Sequence, residues 1–341
     1  MQARKINIIG KSNGVGLARD LKLLADSLQH RGHEVSVRTI DKVQAGRRRA
    51  VWAQWAVRAD LAWKSATNAS LAADTDVNLM LEHVWPQFLS AARLNVAVPN
   101  PEWFDRHDLR FLSNVDCIWA KTVQTREIFE VLGRPTSLIG FDSEDRHLGC
   151  VPRERTFFHL AGKSMMKGTD RLLRVWARNA HWPRLIVVQH NRGDHAPEVD
   201  AANIERHIGY LDDAQLRFLQ NASMFHVCLS LTEGWGHYIV EALSVGAVPL
   251  TLDAPPMNEL VTAERGLLVP YESTGRQRLA TTYVFDGRAL EAIVERALAM
   301  SDGEWTRLST SARNWFVVNR SGFADRIESA LRELQRTRAA R

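Results

Sequence analysis

Two glutamates set eight positions apart, Glu233 and Glu241, enclose Gly234-Trp235-Gly236 in the stretch CLSLTEGWGHYIVEALSVGAVPLTLDAPPMNELV, residues 228–261. The stretch reads as strand, glycine loop, helix, turn, strand and loop. A spacing of eight residues is about two helical turns, so both carboxylates can stand beside the start of one helix. A helix N-terminus offers unpaired amides and a partial positive charge, which attract phosphate. Carboxylates beside it can accept hydrogen bonds from sugar or ribose hydroxyls. The layout suits a phosphorylated, polyhydroxylated ligand. The plainer alternative is a capped helix carrying two solvated glutamates, and spacing alone leaves both readings open.

The chain that must position these groups has 341 residues, which implies two domains rather than one core. No run approaches the ~20 apolar residues that span a bilayer. The N-terminal MQARKINIIG passes straight into a strand-like run without a signal-peptide pattern, so a cytoplasmic protein is expected. Cys117, Cys150 and Cys228 have neither metal-ligand nor disulfide-framework spacing and read as buried thiols. Net charge is +5, with arginine concentrated at Arg47, Arg48 and Arg49 and from Arg332 to Arg341. A solvated basic surface explains this most plainly; attraction to an anionic membrane face is the alternative. Zinc-finger spacing and basic stretches with regular aromatics are both missing, so a nucleic-acid partner is not expected.

Residues 5–9 form a short apolar run suited to a buried parallel strand, followed by GKSNGVG at 10–16 and a helix marked by Leu17, Leu21, Leu24 and Leu28. Val35, Val37 and Ile40 start a second strand. The G-x-G-x-x-G spacing of a dinucleotide site is absent, so these glycines imply only close approach of a ligand to the backbone. Residues 43–75 read as helical, and 77–81, 94–98, 115–120 and 137–139 as strands. After a polar stretch at 143–155 the pattern restarts: a strand at 156–161, the loop GKSMMKG at 162–168, a helix at 170–178, then strands at 185–189, 204–210, 224–229, 247–252 and 266–269. Three closing helices are marked by Leu290 to Leu298, Trp305 to Phe316 and Phe323 to Leu334. The expected architecture is α/β, with two Rossmann-like doubly wound domains facing a central cleft. Residues 1–148 would form the first domain and 149–318 the second, with a final helix at 319–341 packing back on the first.

With these pieces in place, EGWGHYIVEALSVGAVPL resembles the E-x7-E region of retaining glycosyltransferases of the GT-B fold, especially family 4. Four further pieces fall in the family's order: SNGVGLARDLKLLADSLQHRGHEV, IGFDSEDR, FFHLAGKSMMKGTDRLLRVW and LDAPPMNELV with RGLLVP. The resemblance is close from about residue 156 to 270 and loose before 136.

The resemblance implies a nucleotide-sugar donor held mainly by the second domain and an acceptor held mainly by the first. Glu241 would hold the ribose hydroxyls and Glu233 the donor-sugar hydroxyls. Lys163 and Lys167 would bind the diphosphate as point charges. Backbone amides around Gly234, Trp235, Gly236, His237 and Tyr238 would face the diphosphate or sugar, and Gly14 and Gly16 would approach it from the first domain. The residues expected at the reacting centre are Glu233, Lys167 and His83, with His237 the rival to His83 for contact with the sugar. Preorganised cations and amides would stabilise the leaving diphosphate, so neither an obligatory metal nor another cofactor is expected. The chain departs from the family at Lys163, where an arginine is usual, and at His237-Tyr238, where a small apolar pair is usual.

The expected activity is metal-independent, retaining transfer of a sugar from a nucleotide-sugar to a hydroxyl of a glycan or lipid-linked acceptor, in surface polysaccharide or glycoconjugate synthesis. Peripheral contact with the inner face of a membrane would accompany it. A GT-B sugar-nucleotide epimerase, or a non-enzymatic carbohydrate- or nucleic-acid-binding protein, would fit the same elements.

Overall fold

The structure is a computed structural model that describes residues 3–11, 15–40, 55–56, 59–60, 62–63, 74–190, 199 and 201–339. Gly14, the arginines at 47–49 and most of the stretch expected to be helical at 43–75 lie outside these. The chain divides into two compact units. One takes 1–142, 277–280 and 321–341, and the other takes 143–276 and 281–320.

The first unit contains β1 (Lys5–Lys11), α1 (Val15–His30), β2 (Glu34–Ile40), β3 (Thr75–Glu82), β4 (Ala92–Pro99), α2 (Arg106–Phe111), β5 (Cys117–Ala120), α3 (Val123–Val131) and β6 (Thr136–Leu138). Its six strands are parallel, in the order β2-β1-β3-β4-β5-β6. β3 and β4 are buried almost throughout, as expected of strands covered on both faces. Leu21, Leu24 and Leu28 of α1 turn inward at helical spacing. Ile9, Met80, Trp85, Phe104, Phe111 and Phe129 form a core cluster. Asp105 and Asp108 make a reciprocal capping box at the start of α2.

The second unit contains β7 (Glu154–Gly162), α4 (Thr169–Arg178), β8 (Leu185–Gln189), β9 (Ile204–Ile208), α5 (Asp213–Ala222), β10 (Ser223–Cys228), α6 (His237–Ser244), β11 (Val248–Leu252), α7 (Met257–Leu260), β12 (Leu267–Val269) and α8 (Gly287–Leu298). Its sheet is also parallel, in the order β12-β11-β10-β7-β8-β9. Both orders are doubly wound. The chain leaves the first strand to one side, then returns to its other side, so a switch point lies between β1 and β3 in one unit and between β7 and β10 in the other. In open α/β sheets, ligands bind beyond the carboxyl ends of the strands at such points.

Two elements differ from the sequence expectation. A hairpin, β13 (Tyr271–Gln277) with β14 (Ala280–Phe285), forms a separate two-stranded sheet. Its polar first strand hides the alternation that only Ala280, Tyr283 and Phe285 carry inward. The last two of the three expected closing helices are one, α9 (Asp302–Ala339), so no separate helix begins at 319. Gly322 is tolerated mid-helix because packing outweighs its cost of about 1 kcal/mol. Beside it, Phe323 meets Phe141 at 5.1 Å between ring centroids, Arg326 Nε donates to the Ile139 carbonyl at 2.7 Å, and Glu328 pairs with buried His33 at 2.6 Å. Cys117 and Cys228 are buried as expected, but Cys150 is exposed. Among the described residues no helix is long and apolar enough to cross a membrane.

His226, in β10, is buried against Phe158 and donates from Nε2 to the Gln220 carbonyl at 2.9 Å. Burial pushes its pKa down from 6.5 to about 3. Above about pH 6.5 both folded and unfolded states hold it neutral. Below that the unfolded chain takes a proton that the folded one refuses, so stability falls with pH by up to about 1.4 kcal/mol per unit. Urea unfolding from pH 7 to 4 is expected to show this slope, and a shallower one in His226→Gln. Equal slopes would show that His226 is not the titrating group.

Candidate functional site

The carboxyl ends of β7 and β10 carry the two loops on which the sequence placed its chemistry. After β7 the chain turns at Lys163, makes a short 3-10 turn from Met165 to Lys167, and enters α4 through Gly168. Gly168 has φ +67°, and a Cβ there would lie 2.7 Å from the Leu229 carbonyl oxygen, so only glycine lets the two loops approach. The Leu231 amide donates to the Met166 carbonyl at 2.8 Å, joining the loops directly. Across this seam the Lys167 ammonium pairs with Glu233 Oε1. Lys163 is exposed and forms no ion pair among the described residues.

Ser230 and Tyr238 hold the pair. Ser230 Oγ donates to Glu233 Oε1 at 2.5 Å and lies 2.5 Å from the Tyr238 hydroxyl, which also accepts from the Ser230 amide at 3.1 Å. The Lys167 ammonium stands 3.6 Å from the centroid of the Tyr238 ring, a cation–π contact. Burial pushes the Tyr238 hydroxyl well above its ordinary pKa, so it stays a donor. Glu233 Oε2 has no partner among the described residues.

Gly234 and Trp235 are buried, and Gly236 takes φ +88° to start α6, whose N-terminus has no side-chain cap. Uncapped first-turn amides make such an end a site for anions. Trp235 Nε1 donates to buried Ser143 Oγ at 3.2 Å, and the Ser143 hydroxyl lies 2.8 Å from His237 Nδ1. Since Trp235 can only donate, the Ser143 hydrogen is free to serve His237. Glu241, one turn further along α6, is only 1% exposed. Its Oε2 accepts from Gln220 Nε2 at 2.9 Å; Gln220 Oε1 accepts from Arg146 Nε at 3.0 Å; and Arg146 Nη1 meets Asp213 at 2.6 Å. The structure thus brings Lys167, Glu233, Gly234, Trp235, Gly236, His237, Tyr238 and Glu241 together at one switch point.

In the first unit, the switch point between β1 and β3 has a similar arrangement. Lys11 ends β1 and its ammonium lies 3.7 Å from Glu82 Oε2 at the end of β3. Glu82 has φ +64°, an uncommon backbone for a residue with a side chain and one that collects at functional sites. His83 follows it, with Nδ1 2.9 Å from Asp108 Oδ2 and Nε2 3.4 Å from Glu82 Oε2. Asp108 also accepts from the Val84 amide at 2.9 Å, so the ring is tied to its loop. Gly16 is exposed in the first turn of α1.

Sequence reasoning did not find Ser143, Ser230, Gln220, Arg146 or Asp108. Ser230 sits three residues before Glu233, but its role depends on Tyr238 folding back over it. The other four reach their partners across 21 to 94 residues, and no local spacing announces them.

Residues 146–282, which include the whole of this second-unit site except Ser143, match the model of the family described as glycosyl transferases group 1. A GDP-mannose:cellobiosyl-diphosphopolyprenol alpha-mannosyltransferase of Xanthomonas campestris is 31% identical over 117 residues, 31% of this chain and 30% of that protein. The protein of the same name from Xanthomonas oryzae pv. oryzae is 43% identical over 56 residues, 16% of this chain and 15% of that one. The chain therefore spans less than a third of either relative's length. A sucrose-phosphate synthase from Thermosynechococcus elongatus shares the fold at a TM-score of 0.67 and 14% identity, over 98% of this chain and 100% of that one. Residues 146–282 are thus similar to the glycosyl transferases group 1 family, and the chain has the GT-B fold of two Rossmann-like parallel-sheet domains.

Proposed function

We propose that the chain transfers a sugar, with retention of anomeric configuration and without an obligatory metal, from a nucleotide-sugar to a hydroxyl of a glycan or lipid-linked acceptor. The observation that carries the reading is the Lys167–Glu233 pair at the β7/β10 switch point, with Glu233 Oε2 unpartnered among the described residues. It places a cation and a hydroxyl acceptor side by side at the start of an uncapped helix. A nucleotide-sugar needs both, one for the diphosphate and one for the adjoining sugar.

In this reading the α6 amides and Lys167 take the diphosphate, and Lys163 adds a second charge from the exposed turn. Glu233 Oε2 accepts a donor-sugar hydroxyl, and Glu241, oriented by Gln220, accepts the ribose hydroxyls. Bond cleavage between the sugar and the diphosphate places negative charge on the departing phosphate, and preorganised cations and amides stabilise it. The acceptor hydroxyl attacks from the same face and gives its proton to the departing phosphate oxygen. In the first unit His83 is held at its Nδ1 by Asp108. The names of the Xanthomonas relatives make GDP-mannose the first donor to try and a diphosphopolyprenol-linked glycan the first acceptor. A lipid-linked acceptor would bring the work to a membrane surface, in synthesis of a surface polysaccharide or glycoconjugate.

A thermal-shift screen against GDP-mannose, UDP-glucose, ADP-glucose and dTDP-glucose is expected to raise the melting temperature with one donor above the others, since a ligand of the folded state stabilises it. Lys167→Ala and Glu241→Ala are expected to weaken the matching nucleoside diphosphate roughly 10- to 100-fold, as loss of a hydrogen bond to a charged group does. Unchanged affinity for every nucleoside diphosphate would overturn the assignment. Turnover is expected to stay within about twofold when EDTA is added; loss of activity restored by a divalent ion would remove the metal-independent mechanism, in which protein groups alone stabilise the diphosphate.

A further inference from the structure

Tyr238 occupies a position where the chain departs from the family it resembles, and its contacts give it a task. The direction of each hydrogen bond around it follows from the donors available. Glu233 is paired with a lysine and only accepts, so the single hydrogen on Ser230 Oγ goes to Glu233 Oε1 at 2.5 Å. Ser230 Oγ can then only accept from the Tyr238 hydroxyl, 2.5 Å away. The Tyr238 oxygen in turn accepts the Ser230 amide at 3.1 Å. The sequence Tyr238 to Ser230 to Glu233 therefore runs one way. Each hydroxyl in it is buried and satisfied.

The two faces of Tyr238 act on different members of the ion pair. Its hydroxyl reaches Glu233 through Ser230, and its ring lies 3.6 Å beneath the Lys167 ammonium. Oε1 of Glu233 is consumed by these internal donors, and Oε2 is left without a partner among the described residues.

We infer that Tyr238 is a positioning residue for the donor site: its hydroxyl, through Ser230, fixes Glu233 so that Oε2 alone meets the donor sugar, while its ring seats Lys167 for the diphosphate. This rests on the reading of the site as a nucleotide-sugar site. It assigns separable effects to one side chain, because phenylalanine keeps the ring and loses the hydroxyl.

The test measures GDP and GDP-mannose affinity, or the pair chosen by the donor screen, together with steady-state kcat and KM. Tyr238→Phe is expected to weaken the sugar-nucleotide about tenfold while GDP affinity stays within twofold. Tyr238→Leu is expected to weaken both. Ser230→Ala should reproduce Tyr238→Phe with the ring untouched, Ser230→Thr should restore the wild-type preference for the sugar-nucleotide over GDP, and the Ser230→Ala/Tyr238→Phe double variant should be no worse than either single one. Melting temperatures report folding separately. Equal losses for GDP and GDP-mannose in Tyr238→Phe, or additive losses in the double variant, would overturn the inference and leave the donor-site reading standing. Failure of the wild-type protein to bind any of the four donors would overturn the donor-site reading, and this inference with it.

Discussion

A parallel sheet that winds in both directions must part its chain once, and at that parting neighbouring strands send their loops opposite ways. Both units of this protein meet the constraint with the same device, a lysine at the end of one strand or in its loop and a glutamate at the end of the strand across the gap or in its loop. Lys11 meets Glu82 between β1 and β3, and Lys167 meets Glu233 between β7 and β10. The second pair is the tighter and sits beside the start of α6. The contacts around it follow from keeping two opposite charges together at the mouth of a sheet. Gly168 brings the loops into contact, the Leu231 amide bonds them, Ser230 supports the carboxylate and Tyr238 underlies the ammonium.

Each of the two motif glutamates has one oxygen bound to an internal donor. Glu233 Oε1 receives Ser230 and Lys167, and Glu241 Oε2 receives Gln220. A carboxylate carries about four lone-pair positions, so Glu233, bound through Oε1, can still accept at Oε2. The two supports differ in kind. Glu233 is held by charge and remains partly exposed, whereas Glu241 is buried and held by an amide whose other end is anchored to Arg146.

The sequence showed the central strands clearly because β1, β3, β4, β8, β10 and β11 are buried almost throughout and read as largely apolar runs. It showed the site's local part for a similar reason: Glu233, Gly236 and Glu241 lie within nine residues, in one glycine loop and the helix that follows it. What it could not show was the support. Ser143 reaches Trp235 and His237 from 92 and 94 residues away, and Asp108 reaches His83 from 25. Such partners are set by the register of whole strands, which no single stretch encodes. The hairpin β13–β14 was missed because Tyr271–Gln277 is exposed and polar, so it carries no apolar signature. The break expected inside α9 came from reading its two buried faces as separate helices.

The Lys167–Glu233 pair has one more consequence, for competition. An ammonium waiting alone at a helix start would bind any small anion in solution. Here an arriving phosphate must first draw Lys167 away from a carboxylate already in contact with it. Binding becomes an exchange of partners, and a bare anion gains little from it because Glu233 is left uncompensated. A ligand that also brings a hydroxyl for Glu233 satisfies both halves at once. If the site takes a nucleotide-sugar as proposed, the pair would act as a filter against simple anions, set by the cost of separating two charges.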